Sequence, residues 1–416
     1  MAQAKEKKTG AKAAPQQSAV AGVWPARFRN PCPGPEQKLF WLKIVIPAAL
    51  ICAFALSWRL WVSSRLFPLS PVGDFLPAIP YPLDVIWFGL LIGLLLAVVI
   101  IPQPRKIILI FLSFAGLLSL WDQTRWQPWF YQYLLMLTAI GLFAWKQSDS
   151  ANEQALNICR LVIVCTYFWS GVQKLNANFV KETWSDITGP LFRLLPEFAR
   201  KIPPFLILAI PILEILIALG LITRRFRNAS VALAVGTHTF VLLMLISSRE
   251  NTVVWPWNIA MVLFVVIFFW QEKETAPSKI LASRNAVHVL VLLLAGVLPA
   301  LSLVDLWDSY LSSALYSGNT DQAIILVSHP AMNHLPGTIH PYAREGSYWF
   351  FLDVNRWAYG ELNVPAYPEP RVYRNVAKQV CRYDPAPSEI KLMIRKKPSP
   401  LTAHRDDEFY DCDHLL

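Results

Sequence analysis

The stretch LDVIWFGLLIGLLLAVVII, residues 83–101, decides the fold class. As a helix rising about 1.5 Å per residue it reaches close to the ~30 Å hydrocarbon thickness of a bilayer. It shows no period-two alternation, so it is not a strand of a membrane barrel. Comparable apolar runs occupy residues 39–58, 106–120, 129–145, 158–173, 203–222, 229–246, 255–270 and 286–304. Together they predict an all-α polytopic membrane protein of about nine transmembrane helices. Of the 416 residues, 55% are hydrophobic and only 16% charged, which is more apolar surface than an ordinary soluble core hides and excludes a soluble enzyme.

The distribution of charge orients the chain. Residues 1–38 carry Lys5, Lys7, Lys8, Lys12, Arg27, Arg29 and Lys38 among Ala, Gln and Pro, with no apolar stretch. This reads as a disordered basic cytoplasmic tail, not a signal peptide. With that tail inside, the inner loops gain Arg105, Lys106, Lys146, Arg224, Arg225, Arg227, Lys273, Lys279 and Arg284, as the positive-inside rule requires. The 174–202 connection, with Lys174, Lys181, Arg193, Arg200 and Lys201, is the exception. The net charge of +10 is thereby explained by topology; no basic patch interleaved with aromatics points to nucleic acid.

Nine spans carry residues 306–416 to the outer face. Three regions are expected: the tail 1–38, a transmembrane domain 39–305 and a small extracytoplasmic domain 306–416. The last region is Pro-rich and charged, and its strand-like segments Asp321–Ser328 and 389–396 alternate with helix-like Asp353–Leu362 and Arg371–Cys381, suggesting α+β. It holds two cysteines, Cys381 and Cys412. In an oxidising compartment they are candidates for a disulfide closing a loop of about thirty residues, worth about 3 kcal/mol; two free thiols are the alternative. No CxxC, HExxH or Cys/His cluster at zinc spacing occurs, so no metal is predicted. Phosphate-binding glycine loops and a serine-hydrolase elbow are absent too.

Ionisable and strongly polar groups inside apolar spans are costly and so become candidates for function. Lys174 ends one span, in YFWSGVQKLNANF. It either snorkels to the headgroups or is a buried amine able to act as a general base. Gly171, one turn earlier, permits close approach of a helix or a flat ligand. Glu214 in IPILEILIALG is either an ion-pair partner for a cation such as Lys174 or a protonated interhelical donor. His238 in AVGTHTFVLLML, alone on an apolar helix, reads first as a satisfied structural histidine, and Asn258 lies in NTVVWPWNIAM. Asp122, Trp126, Trp129, Tyr131 and Tyr133 cluster in WDQTRWQPWFYQYLLML, either an interfacial aromatic belt or a pocket for a polar-substituted ring.

At these motifs the chain resembles the horizontally transferred transmembrane domain (HTTM) family, which includes the vitamin K-dependent gamma-carboxylases. PLDVIWFGLLIGLLL, DQTRWQPWFYQYLLML and YFWSGVQKLNANF follow one another in the family's order, and LYSGNT (315–320) and NVPAYPEPRVYRNV (363–376) are similar to outer segments of bacterial members. The resemblance implies a membrane enzyme that binds a reduced quinone of vitamin K or menaquinone type and uses Lys174 as the base for its oxygenation to the epoxide. Coupled carboxylation of glutamyl groups is the specific version. It further implies Asp122, Trp126, Trp129, Tyr131, Tyr133, Gly171, Glu214, His238 and Asn258 as quinol-contacting candidates, and the inner membrane of a bacterium as the location. The chain departs from the family pattern at Gln173, Asn176, Asn178 and Trp129. The rival expectation is a non-catalytic membrane subunit or maturation factor whose outer domain holds a partner protein.

Overall fold

In a computed structural model, residues 33–146, 148–197, 202–249, 251–383 and 389–415 are described. The expected basic tail lies outside them up to residue 32. Residue 38, the tail's last, is instead helical. The first helix, α1 (Pro35–Leu56), starts with proline at its N-terminus, where the missing N–H costs nothing, and Glu36 faces the positive end of the helix dipole.

Eight further apolar helices follow: α2 (Leu83–Ile100), α3 (Arg105–Leu120), α4 (Pro128–Phe143), α5 (Asp149–Lys174), then past a short helix α6 (Trp184–Phe192), α7 (Pro204–Ile222), α8 (Arg227–Ser248), α9 (Val254–Phe269) and α10 (Ala286–Val304). Six of these, α1, α2, α5, α7, α8 and α10, are long and apolar enough to cross a membrane. The turn of α10 widens over Leu292–Val297 and tightens over Leu298–Val304, where Pro299 removes a donor. Leu90 and Leu96 of α2, Leu216 and Leu219 of α7 and Leu290 and Leu293 of α10 are exposed, the sides such helices turn to lipid. By contrast α5 is buried over most of its length and runs through the centre of the bundle against α4 and α7.

Polar contacts gather alternate helix ends. The Lys43 ammonium donates to the carbonyl of Ile101 (2.8 Å), and Arg105 to the carbonyls of Gly141 and Leu142 (3.4 and 3.3 Å). Arg227 donates to the carbonyls of Glu272 (2.6 Å) and Thr275 (3.1 Å). At this end Glu272 pairs with Lys38 and lies 3.4 Å from Arg160, which also bonds Glu153 (3.1 Å) and the Asn157 amide oxygen (2.7 Å). The described residues of the connections 57–82, 121–127, 175–203 and 249–253 lie at the other end.

There the C-terminal domain is seated. Its strands β1 (Gln322–Ser328), β2 (Ala343–Glu345), β3 (Trp349–Asp353), β4 (Ile390–Arg395) and β5 (Asp407–Asp411) form one antiparallel sheet in the order β2-β3-β1-β4-β5. Alternation puts Ile325, Val327, Leu352, Leu392 and Ile394 on one face, all fully buried. Trp357 of α11 (Val354–Leu362) and Val372, Val376 and Val380 of α12 (Pro370–Cys381) supply the rest of this core. The strands and helices expected here are present; β2, β3 and β5 were not foreseen. Cys381 and Cys412 form a disulfide, Cα to Cα 5.8 Å, which decides between the two expectations for them.

Long-range bonds fasten this domain to the bundle. The Gln127 amide donates to the carbonyl of Pro365 (3.0 Å) and Arg371 to the side chain of Gln123 (2.6 Å). Asn363 donates to the Leu56 carbonyl (3.0 Å) and the Thr252 hydroxyl (2.7 Å), and the Glu361 carboxylate accepts the backbone N–H groups of Leu66 and Phe67 (2.6 and 2.9 Å).

Candidate functional site

The polar residues of α5, α7, α8 and α9 converge on one cavity of about 140 Å³. Gly171 is what allows α5 and α7 to touch: a Cβ there would stand 2.6 Å from the Pro211 carbonyl oxygen and 2.7 Å from Ile215. That approach brings Lys174 to Glu214, the ammonium lying 3.0 and 2.8 Å from the two carboxylate oxygens. Lys174 also donates to the Ser170 hydroxyl and to the Ser170 carbonyl (3.3 Å). Its ammonium is thus a fully engaged donor in a largely buried ion pair, not a snorkelling headgroup contact.

Beside it His238 is clamped between Tyr167 (Nε2 to hydroxyl, 2.7 Å) and Asn258 (Nδ1 to amide oxygen, 2.8 Å). The Asn258 amide nitrogen donates to the Val254 carbonyl (2.8 Å), so its oxygen faces the ring. The imidazole therefore carries its hydrogen on Nδ1 and accepts the Tyr167 hydroxyl proton at Nε2. The reading of His238 as a satisfied structural residue describes its bonding, although its ring also lines the cavity.

Apolar side chains complete the walls: Phe179 and Trp184 from the 175–203 connection, Phe240, Val241 and Met244 from α8, Trp257 and Met261 from α9. The lid is a segment of the C-terminal region, Ser313, Leu315 and Tyr316, with the Tyr316 hydroxyl accepting from Asn251 (2.6 Å). Asn176 and Asn178 pin that segment by donating to the carbonyls of Ser317 (2.9 Å) and Gly318 (3.1 Å), and Asn319 donates to Gln173 (2.8 Å). Gly318 sits at φ +70, where a Cβ would also meet Thr183 Oγ1 at 2.4 Å.

Of the residues singled out from sequence, Lys174, Gly171, Glu214, His238 and Asn258 come together. Asp122, Trp126, Trp129, Tyr131 and Tyr133 do not join them. Asp122 pairs with Arg65 and accepts the backbone N–H groups of Thr124 (3.0 Å) and Ser70 (3.3 Å), a loop-fixing role. Trp129 is fully buried among Phe54, Trp61 and Phe130, Tyr133 packs on Phe264, Trp126 on Phe130, and the Tyr131 hydroxyl donates to the Leu294 carbonyl (3.3 Å). This segment is a packed aromatic core at the bundle end. Tyr167 and Ser170 were missed, although their spacing of seven and four from Lys174 places them on its helical face. Tyr316 and Trp257 carried no local signal. Among the described residues no group of three or more metal-ligating side chains exists.

No curated protein and no solved structure matches the chain. The resemblance to the HTTM family is overturned, and the carboxylase, lyase and quinone readings, which rested on that resemblance alone, are left without support. Its most specific segment, YFWSGVQKLNANF, falls inside a stretch that fits a different family. Residues 152–252, from α5 to the turn after α8 and including Lys174, Glu214 and His238, are similar to the family described as methylamine utilisation protein MauE.

Proposed function

We propose that the chain is a non-catalytic membrane accessory protein that holds a partner protein through its C-terminal domain and serves methylamine utilisation. The nine apolar helices are read as nine spans, with the N-terminus in the cytoplasm. Arg105, Lys106, Lys146, Arg224, Arg225, Lys273 and Lys279 all belong to connections at the helix end opposite the sheet domain, as a cytoplasmic end requires. The Cys381–Cys412 disulfide supports an oxidising compartment for the other end.

The observation that carries the reading is the seating of the C-terminal domain. It is bonded to four separate connections of the bundle, so the membrane helices hold it in a fixed pose. Its outer sheet face, opposite the buried one, presents Phe351 and Phe409 to solvent. Lys174, the one residue cast as a base, is bound up in its pair with Glu214. The MauE description supplies the process served.

The test is growth of a deletion strain on methylamine. Wild type restores it, and so does Lys174→Met with Glu214→Met, which removes both charges together and spares the fold an unpaired one. Phe351→Asp with Phe409→Asp inserts in the membrane but fails to restore growth. A silent sheet-face variant alongside an inactive, folded Lys174/Glu214 variant overturns the reading in favour of chemistry at the cavity. A reporter active only outside the cytoplasm, fused to the C-terminus, is active; the opposite result overturns the orientation.

A further inference from the structure

We infer that the cavity between α5, α7, α8 and α9 binds an uncharged single-chain lipid with a hydroxyl head, independently of the accessory role. Its place in the fold points to the bilayer as the source. The walls come from apolar helices, and the lining residues Ile187, Ile210, Thr237 and Phe240 on α6, α7 and α8 stay partly exposed, the side from which a chain would enter. The end toward the sheet domain is roofed by Leu315 and Tyr316. The cavity's volume, about 140 Å³, takes a small polar head and the first methylenes of a chain, and the rest of the chain leaves toward the bilayer.

The charges select the head. The titratable groups facing the cavity are Lys174, Glu214, His238, Tyr167 and Tyr316. Lys174 and Glu214 cancel; His238 is engaged at both nitrogens, and Tyr316 is held by Asn251. A carboxylate head would meet Glu214 and an ammonium head Lys174, and either would bring an unpaired charge into an apolar space.

Hydrogen bonding selects further. Ser170 Oγ accepts from Lys174, so its own hydrogen is turned outward as a donor. Tyr167 donates its hydroxyl hydrogen bond to His238, so its oxygen is left as an acceptor. One donor and one acceptor beside a neutral ion pair match a hydroxyl, which does both. The chain then runs along Phe179, Trp184 and Phe240.

The test is equilibrium binding to purified full-length protein in detergent, with radiolabelled 1-oleoylglycerol competed by oleate and by oleylamine. Wild type binds the glycerol lipid saturably and about tenfold more tightly than either charged chain. Glu214→Gln moves the preference to oleate and Lys174→Met to oleylamine, and the two together restore the neutral preference. Ser170→Ala weakens the glycerol lipid alone and keeps the test decisive if a single charge variant fails to fold. Absence of saturable binding, equal binding of the three chains, or a preference that ignores these substitutions overturns the proposal. No partner protein enters the assay, so its failure is separate from failure of the accessory reading.

Discussion

Glu272 shows how much a single buried charge decides. Burial pushes its carboxyl up, but the Lys38 bond and charge, with Arg160, outweigh burial and hold it down at about 2. The unfolded carboxyl titrates near 4.5, so the interaction stabilises the fold above that pH and fades as pH falls toward 2. The midpoint of thermal unfolding in detergent therefore drops on acidification through this window, and Glu272→Gln flattens the dependence. At neutral pH that substitution costs about 3 kcal/mol, because Lys38 loses its counter-charge and Arg160 keeps only that of Glu153. Equal acid sensitivity in wild type and variant would refute this. Such residues were only half legible. Lys174 and Glu214 stand out because a charge in an apolar run is conspicuous by itself, but their pairing depends on the α5–α7 crossing, forty positions apart. Trp129 and Tyr133 misled because an aromatic run has the same composition whether it lines a pocket or fills a core.

At the level of elements the decisive contact is α5 on α7. Gly171→Ala must push the Pro211 backbone and Ile215 aside, costing about 1–3 kcal/mol and lengthening the Lys174–Glu214 contact. Unfolding in detergent measures the first effect; an unaltered melting temperature would mean that the helices do not touch there. Gly318→Ala is expected to destabilise as well, since its left-handed backbone and the Thr183 and Asn178 side chains leave no room. Most apolar helices were legible to within a few residues because hydropathy is a property of a local window, as α2 at Leu83–Ile100 demonstrates, but α5 begins at Asp149, nine residues before the expected 158, because its polar first turns carry no hydropathy signal. The short strands were not. DEFYD of β5 has no strong alternation and becomes a strand only through its pairing with β4, from Lys391↔Asp411 to Arg395↔Asp407.

For the molecule as a whole the C-terminal domain and the bundle behave as one body, and the disulfide is the domain's own fastening. It joins the end of α12 to the segment after β5 across 31 positions. Cys381→Ser with Cys412→Ser should cost about 3 kcal/mol and lower the melting temperature, with reductant reproducing the effect in wild type. A wild type indifferent to reductant would show that packing alone holds the domain.

The pinning of the 315–320 segment by Asn176 and Asn178 also fixes an order of manufacture. The carbonyls that satisfy those two amides lie 141 and 140 positions downstream, so α5 to α9 are synthesised before their partners exist. Until then the chamber stands open at its outer mouth, filled by water or lipid. The stopper is therefore made only after the helices that wall the chamber, and a nascent chain arrested before residue 313 should present Lys174 to water-borne amine reagents that the finished protein excludes.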